Sequence, residues 1–172
     1  MRYMLTASRS LWTLGLLYLG LTIGFGIVIY LFDLHIIDEI SDPERVLAVV
    51  SGFSPEQRQA HFWMTLVLDM PYPLAYGAFY IGLALRFFGR WGSLLALPAL
   101  ITIPADLLEN MVQLFILGGH EQLVWIKQYA TPVKLAGFIP ASILALVAMG
   151  IAIRRSFQAS SDTDTDIREI RP

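Results

Sequence analysis

Four stretches of this chain, 11–32, 61–85, 91–117 and 133–153, are apolar enough and long enough to cross a hydrocarbon layer, which takes about 20 residues of helix. That pattern leaves few folds open. A segment surrounded by lipid finds no water for its amides, so its backbone must close its hydrogen bonds internally, as a helix does. The expectation is all-α: a polytopic membrane protein with four transmembrane helices in a bundle, one domain over 1–155. Composition agrees, since 56% of residues are apolar, 15% are charged and mean hydropathy is +0.60, more apolar than a soluble core of this size needs. The first stretch exceeds the roughly 7–15 residues of a signal-peptide core and no small-residue cleavage site follows it, so it reads as a retained anchor. With no cysteine in the chain, disulfides, thiolate metal sites and cysteine nucleophiles are excluded.

Charge placement predicts topology. Arg2 and Arg9 precede the first stretch, Arg86 and Arg90 lie between the second and third, and Arg154 and Arg155 end the fourth. The first loop is acidic, with Asp33, Asp38, Glu39, Asp42, Glu44 and Glu56 against Arg45 and Arg58. The positive-inside rule therefore places both termini and the 86–90 turn in the cytoplasm and the two longer loops outside.

The acidic loop carries two helix starts. Ser41-Asp42-Pro43-Glu44 has an oxygen-bearing cap and an early proline, and Ser54-Pro55-Glu56-Gln57 is a capping box. A short interfacial helix is predicted over 43–50, with Val46, Leu47, Val49 and Val50 against headgroups or capping the bundle, then a turn at 51–52 and a helix from Pro55 into the membrane. The polar stretch 156–172 is expected to be a disordered cytoplasmic tail. Gly20 and Gly24 form a G-x-x-x-G pattern, which can seat the first helix on a neighbour within the chain or on a second copy in a homo-oligomer.

Three acids stand inside the apolar stretches: Asp69, Asp106 and Glu109. A charge near mid-membrane costs roughly 2.5–3.5 kcal/mol on insertion scales, so these residues mark the candidate site. In the third stretch Thr102, Asp106, Glu109, Asn110 and Gln113 share one helical face. The second has a matching stripe of Thr65, Asp69, Tyr72, Tyr76 and Tyr80. Counted from the outer entrances, Asp69, Asp106 and Glu109 fall at one level in the outer half of the bilayer. Lys134, near the start of the fourth helix, reads as the only basic group able to partner them, and His35, His61 and His120 as outer-surface residues. Pro71, Pro73, Pro104 and Pro140 frame this level, and Pro73 frees the carbonyl of Asp69 from its helical donor. Broken backbone beside buried acids is one way to line an ion or substrate site, though membrane helices also tolerate such kinks.

The segment Leu-Asp-Met-Pro-Tyr-Pro-Leu-Ala-Tyr-Gly at 68–77, with Ala-Asp-Leu-Leu-Glu-Asn at 105–110 and Lys134, resembles an uncharacterised bacterial family of small four-span membrane proteins. That family carries D-x-x-[FY]-P-x-x-Y-G, then D-x-x-E-N, then a lysine opening the last helix. Gly-Phe-Ser-Pro-Glu before the second helix fits the same pattern, and the proline at position 71 departs from a place that is usually apolar. The resemblance covers most of 50–140 and implies a multi-pass protein of the bacterial plasma (inner) membrane, without lending an activity. In layout the chain is also similar to the emopamil-binding-protein (EXPERA) group, which shares its size, four-span plan, acidic first loop and an acid-then-proline element in helix 2. That similarity implies an amphiphile pocket lined by buried acids, as in members that bind sterols.

Three functions fit these residues. The first is a pocket for a lipid or amphiphilic small molecule with optional acid/base chemistry: Asp106 or Glu109 as proton donor or acceptor, Asp69 as electrostatic partner, and Asn110, Gln113, Tyr72, Tyr76, Thr102 and Lys134 as ligand contacts. The second is proton- or cation-coupled transport. The third is a scaffold or accessory subunit whose acids only lock helices together. The oxygen ligands Asp69, Asp106, Glu109 and Asn110 would suit magnesium or calcium, but no histidine is expected at that depth, and the reading is no metal and no cofactor. No phosphate-binding glycine loop and no basic nucleic-acid face is present.

Overall fold

The structure is a computed structural model that describes residues 5–169, with the side chains of 157 and 159–169 outside the described set. Helix α1 is Ser8–Phe32. It ends where Asp33 adopts left-handed backbone (φ 49°) and donates its amide to the Ile29 carbonyl, a conformation that aspartate tolerates better than most residues. The capping signals of the loop are realised: Asp42 accepts from the Arg45 amide at 3.0 Å to open α2 (Pro43–Ser51), and Ser54 and Gln57 close a reciprocal capping box on α3 (Pro55–Met64).

The chain then departs from regular helix. Thr65–Asp69 is π-helical, with the Met70 amide donating to the Thr65 carbonyl at 2.9 Å, and regular helix resumes as α4 (Tyr72–Phe87). Pro71 and Pro73 have no amide hydrogen for the carbonyls one turn back, and the widened turn absorbs that deficit. A tight turn and the short α5 (Gly92–Leu95) lead to α6 (Leu97–Leu117), and a 3-10 segment (Glu121–Ile126) leads to α7 (Lys127–Glu169). Part of the tail expected to be disordered, 170–172, lies outside the described residues.

Among the described residues, three helical segments are long and apolar enough to cross a membrane: Ser8–Phe32, Gly89–Leu117 and Glu121–Ser156. The expected second crossing is not one of them, because the π turn divides it. At 16 residues α4 spans about 24 Å, short of a hydrocarbon core of about 30 Å.

Helices α6 and α7 pack along their length, and α4 packs on both. Gly137 permits the close α6–α7 approach, since a Cβ there would meet Thr102 Oγ1 and, at 2.7 Å, the Pro98 carbonyl. Helix α1 rests on α4 and turns most of its surface outward, with Leu11 its one buried residue. Two apolar clusters result. One gathers Leu11, Tyr76, Tyr80, Leu83, Ala99, Ala141, Ala145 and Ala148. The other gathers Ile37, Val46, Val50, Val112, Ile116, Leu117 and Val124, so α2 folds down onto the bundle end through Val46 and Val50. Along α6 the polar stripe lies between the residues of these two clusters, which close it in from either end.

Candidate functional site

The side chains of Thr102, Asp106, Glu109, Asn110 and Gln113 are all buried, as their shared face on α6 requires, and four of the five contact α7 or the π segment through hydrogen bonds or ion pairs. The Lys134 ammonium lies 3.2 Å from Asp106 Oδ1 and 2.7 Å from Glu109 Oε2, bridging the two acids. The other Glu109 oxygen accepts from Lys127 Nζ and from Thr131 Oγ1, each at 2.6 Å. Lys127 is fully buried and also donates to Gln113 Oε1 at 3.3 Å. Lys134 is therefore not the only basic partner. Lys127, Thr131 and Lys134 are spaced i, i+4, i+7, so they share one face of α7, because that helix begins at Lys127. The stripe argument applied upstream of residue 133 would have found Lys127; its low local hydropathy hid it.

On the π segment, Asn110 Nδ2 donates to the Asp69 backbone carbonyl at 3.0 Å. This is the carbonyl that Pro73 leaves without a helical donor, so a side chain of α6 replaces the missing amide. Gln113 Nε2 donates to Thr65 Oγ1 at 3.0 Å, and His61 Nδ1 lies 3.5 Å from the same hydroxyl. His61 is fully buried with its ring stacked on Phe53, which corrects its expected position at the outer surface; His35 and His120 are exposed. Proximity of α3 to the polar stripe, rather than solvent, sets its surroundings.

Asp38 enters from the loop between α1 and α2. Its carboxyl meets that of Asp69 and faces Lys134, Lys127 and His61, with Oδ1 buried. Burial acts to raise the Asp38 carboxyl, but the two ammonium groups and the imidazole outweigh it and hold it below the usual carboxylate range. No periodicity marks a loop residue as part of a helical site, so the sequence carried no signal for it. Four carboxyls thus face two ammonium groups. Asp106 Oδ1 and Glu109 Oε2 are met by Lys134, whereas Asp38 Oδ1, Asp69 Oδ2, Asn110 Oδ1 and His61 Nε2 are buried without a hydrogen-bond partner. Among the described residues no group of three or more acids and histidines is arranged to hold a metal.

The expected ligand contacts divide. Tyr76 is buried and donates to Asp106 Oδ2 at 2.7 Å. Tyr72 is half-buried and pairs with Thr22 of α1 at 3.2 Å, away from the acids. Thr102 donates back to the Pro98 carbonyl at 2.9 Å and packs under Gly137. A tyrosine array continues from Tyr76: Tyr80 donates to Tyr18 at 3.2 Å, Ser142 to Tyr80 at 3.4 Å, and Phe138 packs edge-on to Tyr76.

A groove of about 550 Å³ lies on the other side of the π segment, lined by Val28 and Phe32 of α1 and by Trp63, Met64, Val67 and Leu68, with Glu56 and Gln59 also on its wall. Its lining is apolar where the inner face of the same turn carries Thr65 and Asp69. Gly24 is occupied from within the chain by Leu68, at 3.4 Å from where its Cβ would stand, while nothing lies within 4 Å of Gly20. No family model matches this chain, and no curated protein or solved structure matches it either.

Proposed function

We propose that this chain is a four-span inner-membrane protein with both termini in the cytoplasm, and that its buried acid–lysine site binds the polar group of a lipid or other amphiphile and can serve it as acid or base. In this reading α3, the π turn and α4 together form the second crossing, and α6 and α7 form the third and fourth. The single observation that carries the reading is the enclosed site itself. Ionisable groups from the first loop, the π segment, α6 and α7 converge between two apolar clusters and leave acceptors over. A purely structural ion pair needs no such surplus, since each leftover acceptor costs its desolvation. The apolar groove beside the π turn suits a hydrocarbon tail, and the motifs at 68–77 and 105–110 support membership of the small four-span family. Native mass spectrometry of protein extracted in mild detergent tests the reading: the wild type should retain an amphiphile in stoichiometric amount, and Asp106→Asn should lose it. Protein free of any amphiphile, or equal retention by the variant, overturns it.

One observation favours proton- or cation-coupled transport as a second reading. Tyr76 donates to Asp106, and a separate hydrogen-bonded set of Tyr80, Tyr18 and Ser142 begins at the next ring, whose centroid lies 5.6 Å from that of Tyr76, on the side of the bundle that holds the alanine-rich cluster. Flux in liposomes that falls in Tyr76→Phe supports transport, and flux equal to that of empty liposomes removes it.

A further inference from the structure

We propose that Asp38 and Asp69 form a proton-binding pair, one proton held between the two carboxyls and exchanged with the outer side through Asp38. This rests on, and deepens, the reading of the site as an acid/base centre: it names the loop carboxyl as the site's outward port.

Both residues present a buried oxygen, Asp38 Oδ1 and Asp69 Oδ2, that no donor reaches. Asp69 is only 5% exposed, so bulk solvent does not reach it. Two carboxyl groups that meet in such a place cannot both be ionised without strong repulsion, and neither can donate unless one of them carries a proton. A single shared proton removes both defects, turning two orphaned acceptors into one short acid–carboxylate hydrogen bond. The surroundings set its direction. Lys134 from α7 faces both members; Lys127 from α7 and His61 from α3 also face Asp38, whereas Asp69 also faces the Asp106 carboxyl of α6, so Asp38 is the carboxylate and Asp69 the donor.

Independent support comes from the neighbours. Asn110, wholly buried, donates one amide hydrogen to the Asp69 carbonyl and leaves Oδ1 without a partner. His61, also wholly buried, leaves Nε2 without one. These are further acceptors or proton carriers around a site short of donors. Lys127, Lys134, Tyr76, Thr131 and Gln113, by contrast, each already donate to or pair with an acceptor elsewhere in the site. Asp38 is the member of the pair that is partly exposed, which makes it the entry point. Exchange makes and breaks only O–H bonds: Asp69 passes its proton across the shared hydrogen bond to Asp38, which releases it to water on the outer side, and uptake runs the same two steps in reverse.

Infrared difference spectroscopy of the full chain in lipid nanodiscs tests this. At neutral pH the wild type should show the C=O stretch of a protonated carboxyl, shifted by deuterium exchange. The band should be lost in Asp38→Asn and in Asp69→Asn, because an amide at either position donates to the remaining carboxylate and replaces the proton. It should persist in Asp42→Asn, at the surface cap of α2. Asp38→Glu keeps both carboxyls and should keep the band at a shifted frequency, which decides the matter if the asparagine variants do not fold. A wild type without the band overturns the pair, as does a band lost in Asp69→Asn yet unchanged in Asp38→Asn and Asp38→Glu. A band present in protein that retains no amphiphile leaves the pair standing and removes the ligand reading; amphiphile bound without the band does the reverse.

Discussion

At the scale of residues, the site is governed by how its charges are compensated. Glu109 accepts from Lys127 and Thr131 and pairs with Lys134, all from α7, so removing Lys127 leaves Oε1 with Thr131 alone and four carboxyls facing a single ammonium group. Lys127→Met should destabilise the protein by about 3–5 kcal/mol, and adding Glu109→Gln should recover a large part of that, read by reversible unfolding in mixed micelles. Asp38 responds to pH in a definite direction. Its folded carboxyl binds a proton less readily than the unfolded one, whose pKa is about 3.9, so it stabilises above that value and the contribution is lost as pH falls through the folded value. Melting curves recorded down to pH 3 should therefore show a shallower acid loss in Asp38→Asn than in the wild type. Asp69, Asp106, Glu109, Asn110 and Gln113 were legible in the sequence because helical periodicity and membrane depth both point at them. Asp38 was not, since a loop has no period, and Lys127 was overlooked because the helix begins ahead of its apolar stretch.

At the scale of elements, the π turn is the feature that the hydropathy profile could not express. The prolines announced a break, but its form depends on a donor from another helix. Asn110→Ala should cost about 1–3 kcal/mol by leaving the Asp69 carbonyl unsatisfied, and Pro73→Ala in that background should restore part of it by supplying a backbone donor. Either measurement is a shift in thermal unfolding, and a proline effect equal in both backgrounds contradicts the substitution of side chain for amide. Packing of α6 on α7 makes a similar local demand. Gly137→Ala should destabilise by about 1–3 kcal/mol because its methyl meets backbone at Pro98 and the Thr102 hydroxyl, whereas Gly20→Ala, with nothing within 4 Å, should leave the monomer unchanged. Gly24 differs from Gly137: a Cβ there would make only ordinary contact with the Leu68 side chain at 3.4 Å, so the glycine pair faces a neighbour inside the chain at one position and open space at the other.

At the scale of the whole molecule, a polar layer is sandwiched between two apolar clusters in a chain with helices long and apolar enough to cross a membrane. The all-helical architecture was readable from composition and span length, since lipid allows little else. The number of crossings was not, because the π turn divides the second apolar stretch into α3 and α4, each too short to span alone. The absence of cysteine makes the decisive measurement clean. Single cysteines placed at Ala48 on α2, at Arg90 after α4 and at Gln158 on α7 can be labelled in cells with a membrane-impermeant maleimide. The account predicts that Ala48→Cys reacts in intact cells and that Arg90→Cys and Gln158→Cys react only after permeabilisation. Labelling of Ala48→Cys and Arg90→Cys from the same side would contradict it, for the broken helix would then not cross, and the acids would not stand within the membrane.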